Sequence, residues 1–213
     1  MISCVVFDFD DTLVWSEVYK KQAFFDIASQ FEDGETKMHA IFKNPNRGDR
    51  FGIFKLFASD IGKPEKADEL SQAYTSAVET HIAKCQEIAG TFEALTALKK
   101  EGLALYINSA TPEESLGKTV LKRGWNNLFK GIYGGHNQKI ENLQKIALQE
   151  NVNNYNIAMV GDGDNDREAA EKFGCLFIGL EQGLAKYKKP VKLVIKDMTE
   201  IVELITGADF ERQ

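Results

Sequence analysis

Proline and cysteine are scarce in this 213-residue chain, which has 4 of the first and 3 of the second, and its 17 glycines follow no repeat. Those shortages exclude collagen-like, low-complexity and disulfide-scaffold classes. Cys4, Cys85 and Cys175 are odd in number and far apart, and they read as buried thiols in a reducing compartment. No apolar run approaches the roughly 18 residues a membrane helix needs. Residues 1–7 are apolar but lack a basic leader and run directly into Asp8, Asp10 and Asp11, so no signal peptide is expected. The expectation is a cytoplasmic protein that does not engage a membrane. Positive charge is also short, with 26 Lys and Arg against 32 Asp and Glu, for a net charge of −6. That balance argues against a nucleic-acid partner, whose phosphates demand basic surface. What is present is ordinary globular material, 43% hydrophobic and 27% charged. The length suits one large domain or a domain with a sizeable insertion.

Six short apolar runs predict strands at 2–7, 103–108, 131–133, 157–160, 176–179 and 191–195. Continuous runs of this kind mark strands covered by helices on both faces. Amphipathic segments lie between them. Phe92, Leu95 and Leu98 share one face of a helix predicted over 91–100. Thr111 as N-cap, Pro112 at the first helical position, Glu113 and Glu114 open the next, and Ile140, Leu143 and Ile146 mark a helix over 138–149. From about residue 90 the alternation of strand and helix predicts an α/β, Rossmann-like parallel sheet, with its ligand site at the carboxyl ends of the strands. Residues 16–85 break the pattern with helix-like segments at 18–31, 37–42, 50–61 and 65–84, divided by a loop at 43–49. The expected organisation is a catalytic core of residues 1–15 and 86–213 with an inserted helical subdomain at 16–85. Phe42, Phe51, Phe54 and Phe57 read as the core of that insertion, and the cluster Lys186, Lys188, Lys189 and Lys192 reads as a solvated face.

Two apolar strands run straight into acidic turns. The first leads to Asp8, Asp10, Asp11 and Thr12, the second to Asp162, Asp164 and Asp166. Aspartate is a poor strand former and a buried carboxylate is costly, so such clusters call for a cation or a solvated loop. A calcium loop starting at Asp162 would put Arg167 at its glycine position and Phe173 at its bidentate glutamate, so that reading fails. Two acidic turns side by side in a parallel sheet would offer several oxygens to a hard cation, Mg²⁺ at an intracellular phosphate site. Without the six aspartates of these turns, acids and bases balance. Ser109 ends another strand, as a turn residue or as a donor to the same crevice. Lys139 falls in the first turn of a helix, where the macrodipole disfavours a cation unless an anion lies nearby.

In order and spacing these four pieces resemble the haloacid dehalogenase superfamily, in particular its phosphatases with a helical cap inserted after the first motif. Asp8-Phe9-Asp10-Asp11-Thr12 is similar to the first motif, Ser109 to the second, Lys139 to the third and Gly161-Asp162-Gly163-Asp164-Asn165-Asp166 to the fourth. The resemblance implies Asp8 as nucleophile and Asp10 as general acid and base. It implies Mg²⁺, or Mn²⁺ in its place, held by Asp8, the backbone carbonyl of Asp10 and Asp162. Ser109 and Lys139 would bind phosphate. Thr12 would fix the turn, and Asp166 would orient Lys139 or a metal-bound water, or ligate directly. Asp10 favours phosphate esters over dehalogenation, because the dehalogenases lack this second acid. Asp11 and Ala110 depart from the pattern, where glycine is frequent at the first position and asparagine or glycine at the second.

The implied function is a Mg²⁺-dependent phosphatase for a small phosphorylated metabolite, acting as a monomer or small homo-oligomer. Arg50 and Arg47, flanking a glycine turn in the helical insertion, are candidate ligands for a second anionic group of the substrate. A phosphomutase of the β-phosphoglucomutase kind would use the same core residues. A phosphonate hydrolase would need a cap lysine, and neither Lys43 nor Lys55 stands out. A non-catalytic regulatory or binding protein on the same fold is the alternative from another class.

Overall fold

The computed structural model describes residues 1–82, 84–135 and 138–207, side chains 80, 184 and 185 excepted. The chain divides into two compact units, Met1–Trp15 with Cys85–Gln213 and Ser16–Lys84. The first unit opens with β1 (Cys4–Phe7). The second unit holds α1 (Glu17–Ala28), α2 (Gly34–Lys43), α3 (Arg50–Asp60) and α4 (Ala67–Ile82). The first unit then resumes with α5 (Thr91–Lys100), β2 (Ala104–Ser109), α6 (Glu113–Lys122), β3 (Gly131–Gly134) and α7 (Lys139–Glu150). It continues through β4 (Ile157–Gly161), α8 (Asp164–Phe173), β5 (Leu176–Leu180), β6 (Val194–Ile195) and α9 (Ile201–Gly207).

The strands form one parallel sheet in the order β3-β2-β1-β4-β5-β6, the α/β architecture expected from the alternation. Every residue of β1, β2 and β4 is buried, which is why these strands read as unbroken apolar runs. Cys4 and Val6 pack with Leu143 and Ile146 of α7 and Ala169 and Ala170 of α8. The pleat sends Val5 and Phe7 to the opposite face. Phe7 pairs with Ile107 on one side and Val160 on the other. Asp8, Asn108 and Gly161 therefore emerge at one level, at the carboxyl ends of three adjacent strands. The chain builds outward from β1 through β2 and β3, then crosses back over β1 to β4. Between β1 and β4 the order reverses, and ligand crevices in open sheets form at such a switch point.

One helix start differs from expectation. Pro112, not Thr111, is the residue before α6, and no side chain caps that helix. Thr111 donates its hydroxyl to Asp10 instead, at 2.7 Å. Cys4, Cys85 and Cys175 are free thiols, two buried and one half-buried. His136 lies outside the described residues. Among the described residues no helix is long and apolar enough to cross a membrane.

The helical unit has its own core, in which Phe24, Met38, Phe54, Phe57 and Tyr74 are buried together. The expected break at 43–49 is found at 44–49, since Lys43 closes α2 and Asp49 Oδ1 accepts from the amides of Phe51 and Gly52, both at 3.1 Å, to start α3. The aromatic set is core with one exception. Phe42 packs against the cluster and Phe54 and Phe57 are fully buried, but Phe51 is exposed, with the Arg50 guanidinium 4.6 Å from its ring centre. Phe51 departs because it stands in the first turn of α3, two residues before the buried stripe begins at Ile53.

Candidate active site

Asp8 continues β1 by one residue, its amide donating to Val160 O at 2.8 Å, and its side chain is buried. Beyond it the chain turns sharply. The amide of Leu13 donates to Phe9 O, and Asp11 adopts a left-handed φ of 55°. Aspartate tolerates that region better than most residues, which accounts for Asp11 at a position where glycine is common in the resembling family. Within this turn Asp10 accepts the Thr111 hydroxyl, and Thr12, fully buried, donates across to Asp162 Oδ1 at 3.4 Å. Thr12 thus ties the two acidic turns to each other, where its expected role was local to its own turn.

The second turn follows β4. Asp162 is buried at its start, and Asp166, in the first turn of α8, accepts the Gly163 amide on Oδ2 at 3.1 Å. Gly161 allows this packing, because a Cβ there would come within 2.4 Å of the Asp166 side chain. Asp164 faces elsewhere. Its Oδ1 accepts from Arg167 Nε at 2.7 Å and from the Lys188 amide at 3.0 Å, and these contacts, the backbone amide foremost, hold its carboxyl down at about 2.

Lys139 is the first residue of α7, and its ammonium is buried between two carboxylates, donating to Asp8 Oδ1 at 2.7 Å and closely to Asp166 Oδ1. The start of α7 is anchored to the end of β2. Asn108 donates to Lys139 O at 2.9 Å and accepts from Asn142 Nδ2 at 3.0 Å, with both asparagines buried. Ser109 is fully buried and accepts the Thr111 amide at 3.1 Å.

Asp8, Asp162 and Asp166 each offer an oxygen within 4.8 Å of the others. Two of these carboxylates, Asp8 and Asp166, flank the buried ammonium, and burial raises all three, Asp162 to about 6. Burial alone would depress Lys139, but Asp166 and Asp8 outweigh it and hold the lysine protonated. Positive charge is deficient in this cluster, and its donors are hard oxygens. Both properties fit a hard divalent cation.

The structure thus brings Asp8, Asp10, Thr12, Ser109, Lys139, Asp162 and Asp166 to one end of the sheet. Arg47 and Arg50 belong to the helical unit. There Arg47 donates to Phe42 O at 3.2 Å and lies over the Phe42 ring, while Arg50 lies over Phe51. Two expectations need correction. Of the six aspartates in the two acidic turns, which carry much of the charge imbalance, Asp164 stands apart from the crevice in an ion-pair network with Arg167 and Lys188. The lysine cluster is not simply a solvated face either, because Lys186 Nζ reaches Asp162 Oδ2 at 2.5 Å and Asp11 Oδ2 at 3.5 Å. The sequence assigns no site role to Lys186, Asn108, Asn142 or Thr111. Asn108 alone carries a local signal, as a polar residue at the end of an apolar strand run.

Residues 5–180 match the family described as haloacid dehalogenase-like hydrolase. A phosphoserine phosphatase of Methanocaldococcus jannaschii is 25% identical, over 94% of this chain and 96% of that protein. Among solved structures, a superfamily hydrolase of subfamily IA from Geobacter sulfurreducens superposes with a TM-score of 0.74 at 19% identity, covering 96% of each chain. A Bacillus subtilis protein bound to magnesium superposes with a TM-score of 0.70 at 16% identity, covering 97% of this chain and 99% of that one.

Proposed function

We propose that this chain, which belongs to the haloacid dehalogenase-like hydrolases, hydrolyses a small phosphomonoester through an aspartyl-phosphate intermediate. The observation that carries the reading is the convergence of Asp8, Asp162 and Asp166, with Lys139 paired to Asp8 and Asp166 and with Asp10 on the same turn as Asp8. The Methanocaldococcus relative, a phosphatase over nearly its whole length, supports the same class of reaction.

Lys139 engages one oxygen of Asp8, and the carboxylate attacks phosphorus through the other. As the Asp8 O–P bond forms, the ester O–P bond breaks, and Asp10 gives its proton to the departing alcohol oxygen. Water then attacks the same phosphorus, Asp10 takes its proton, and the Asp8 carboxylate is released with inorganic phosphate. Lys139 and the Ser109 hydroxyl hold phosphoryl oxygens as charge builds on them, and Asp166 keeps the lysine aimed. A Mg²⁺ ion held by Asp8, Asp162 and the carbonyl of Asp10, with Asp166 close enough to ligate directly or through water, would offset repulsion between carboxylate and phosphate. Residues 16–85 are read as a cap that governs substrate choice, with Arg50 and Arg47 as its candidate anion ligands.

The test is release of phosphate from an aryl phosphate with and without Mg²⁺. Asp8→Asn should lower turnover by roughly three orders of magnitude or more, and equal rates for that variant and wild type would remove Asp8 as nucleophile. A panel of phosphoserine, phosphoglycolate, sugar phosphates and nucleotides should yield free phosphate rather than an isomerised sugar phosphate.

A further inference from the structure

After β5 the chain forms a short 3-10 segment, Glu181–Lys186, that lies against the acidic end of the sheet. Three contacts pin it there. Tyr187 donates its hydroxyl to Gly161 O at 2.8 Å and accepts the Leu180 amide at 3.1 Å, which closes the segment onto the ends of β4 and β5. Gln182 Nε2 donates to Asp11 O at 3.1 Å, joining it to the first acidic turn. Gly183 permits the approach, since a Cβ there would meet Asp162 O at 2.2 Å. The result is a strap whose last residue, Lys186, places its ammonium on Asp162 Oδ2 and near Asp11 Oδ2.

Lys186 differs from the other cation of the cluster. Lys139 is buried and held by two carboxylates, whereas the Lys186 side chain is 40% exposed. Its long stem can swing the charge into solvent without disturbing the strap, which is held by Tyr187 and Gln182. Asp162 is also one of the three carboxylates whose oxygens converge. A second positive charge cannot share that oxygen with a divalent ion without strong repulsion.

We infer that Lys186 is an exchangeable counter-cation: it neutralises Asp162 while the carboxylate cluster holds no metal, and it withdraws into solvent when a divalent cation binds. This inference rests on the reading of Asp8, Asp162 and Asp166 as a cation site. Lys186 thereby sets how tightly the metal is held, because each binding event must first break an ion pair. It also protects the metal-free protein from the repulsion of its own acids.

The experiment uses the full chain stripped of metal. Calorimetric titration with Mg²⁺ compares wild type with Lys186→Met and, as a control, with Lys192→Met at an exposed lysine. Lys186→Met should bind Mg²⁺ about tenfold more tightly, and Lys192→Met should match wild type. In parallel, wild type is acylated with an amine reagent and read by mass spectrometry. Labelling of Lys186 should speed up several-fold when Mg²⁺ is added, while labelling of Lys192 stays constant. This second readout needs no variant and stands even if Lys186→Met folds poorly. Unchanged or weaker Mg²⁺ binding by folded Lys186→Met, or acylation of Lys186 that ignores Mg²⁺, overturns the exchange. Absence of Mg²⁺ binding in wild type and Lys186→Met alike overturns the cation site itself, and the exchange with it.

Discussion

Two aspartates on one turn have different neighbours, and the difference separates their chemistry. Asp8 is paired with a buried ammonium, whereas Asp10 accepts a neutral hydroxyl from Thr111 at 2.7 Å. Burial raises the Asp8 carboxyl, and Lys139 opposes that shift by favouring the ionised form that attacks phosphorus. A carboxylate that must give and take a proton is better placed beside a neutral donor. Asp10→Asn preserves shape and can still accept from Thr111, but it cannot exchange the proton. Turnover is expected to fall by about 10² to 10⁴-fold, with Mg²⁺ affinity by calorimetry unchanged, because the expected metal contact is through the backbone. Loss of cation binding in that variant would argue that the Asp10 side chain is itself a ligand.

At the scale of elements, the site depends on how α7 meets β2. Asn108 and Asn142 bond to each other, and Asn108 also reaches Lys139 O, so this buried pair sets the position from which Lys139 extends. Asn108→Ala leaves the Asn142 amide buried without that acceptor, and stability to urea should fall by about 2 kcal/mol. Pairing Asn108→Val with Asn142→Leu should recover part of the loss, since removing both polar partners avoids the orphaned group. If the double variant is less stable than the sum of the two single changes predicts, the bond between the asparagines is not what the single change removed. The strands could be read from sequence because burial on both faces leaves a continuous apolar signature, and the two acidic turns because they end such runs. The helix at 113–122 starts one residue later than its local signal implies because the Thr111 hydroxyl, a good local cap, is taken by Asp10, 101 positions away. Lys186 could not be read for the same reason. Four lysines within seven residues look like solvated surface until the sheet order brings β5 beside β4 and sets one of them on Asp162.

For the molecule as a whole, crowding three buried acids at one end of the sheet makes the metal-free protein respond to pH in an unusual direction. Burial lifts Asp162 from 3.8 to about 6, so the folded state binds its proton better than the unfolded chain does. Folding then loses stability as pH rises from about 4 to about 6, roughly 3 kcal/mol from this group. Asp8 and Asp166 are raised by burial in the same sense. Lys139, held above its usual value, keeps its contribution throughout this range and loses it only in alkali. Asp164 has the opposite sign. Its carboxyl is held down at about 2, so its contribution is present above about pH 4 and disappears as pH falls toward 2. Thermal melts in a chelator should therefore show stability rising as pH is lowered from about 7 to about 4, then falling in stronger acid. Added Mg²⁺ should raise the melting temperature most at about pH 8, and little at about pH 5, where protons occupy the same oxygens. A metal-free melting temperature that declines steadily from about pH 7 to about pH 4 would show that burial does not raise these three carboxylates, and the cluster would then have no charge deficit for a cation to relieve.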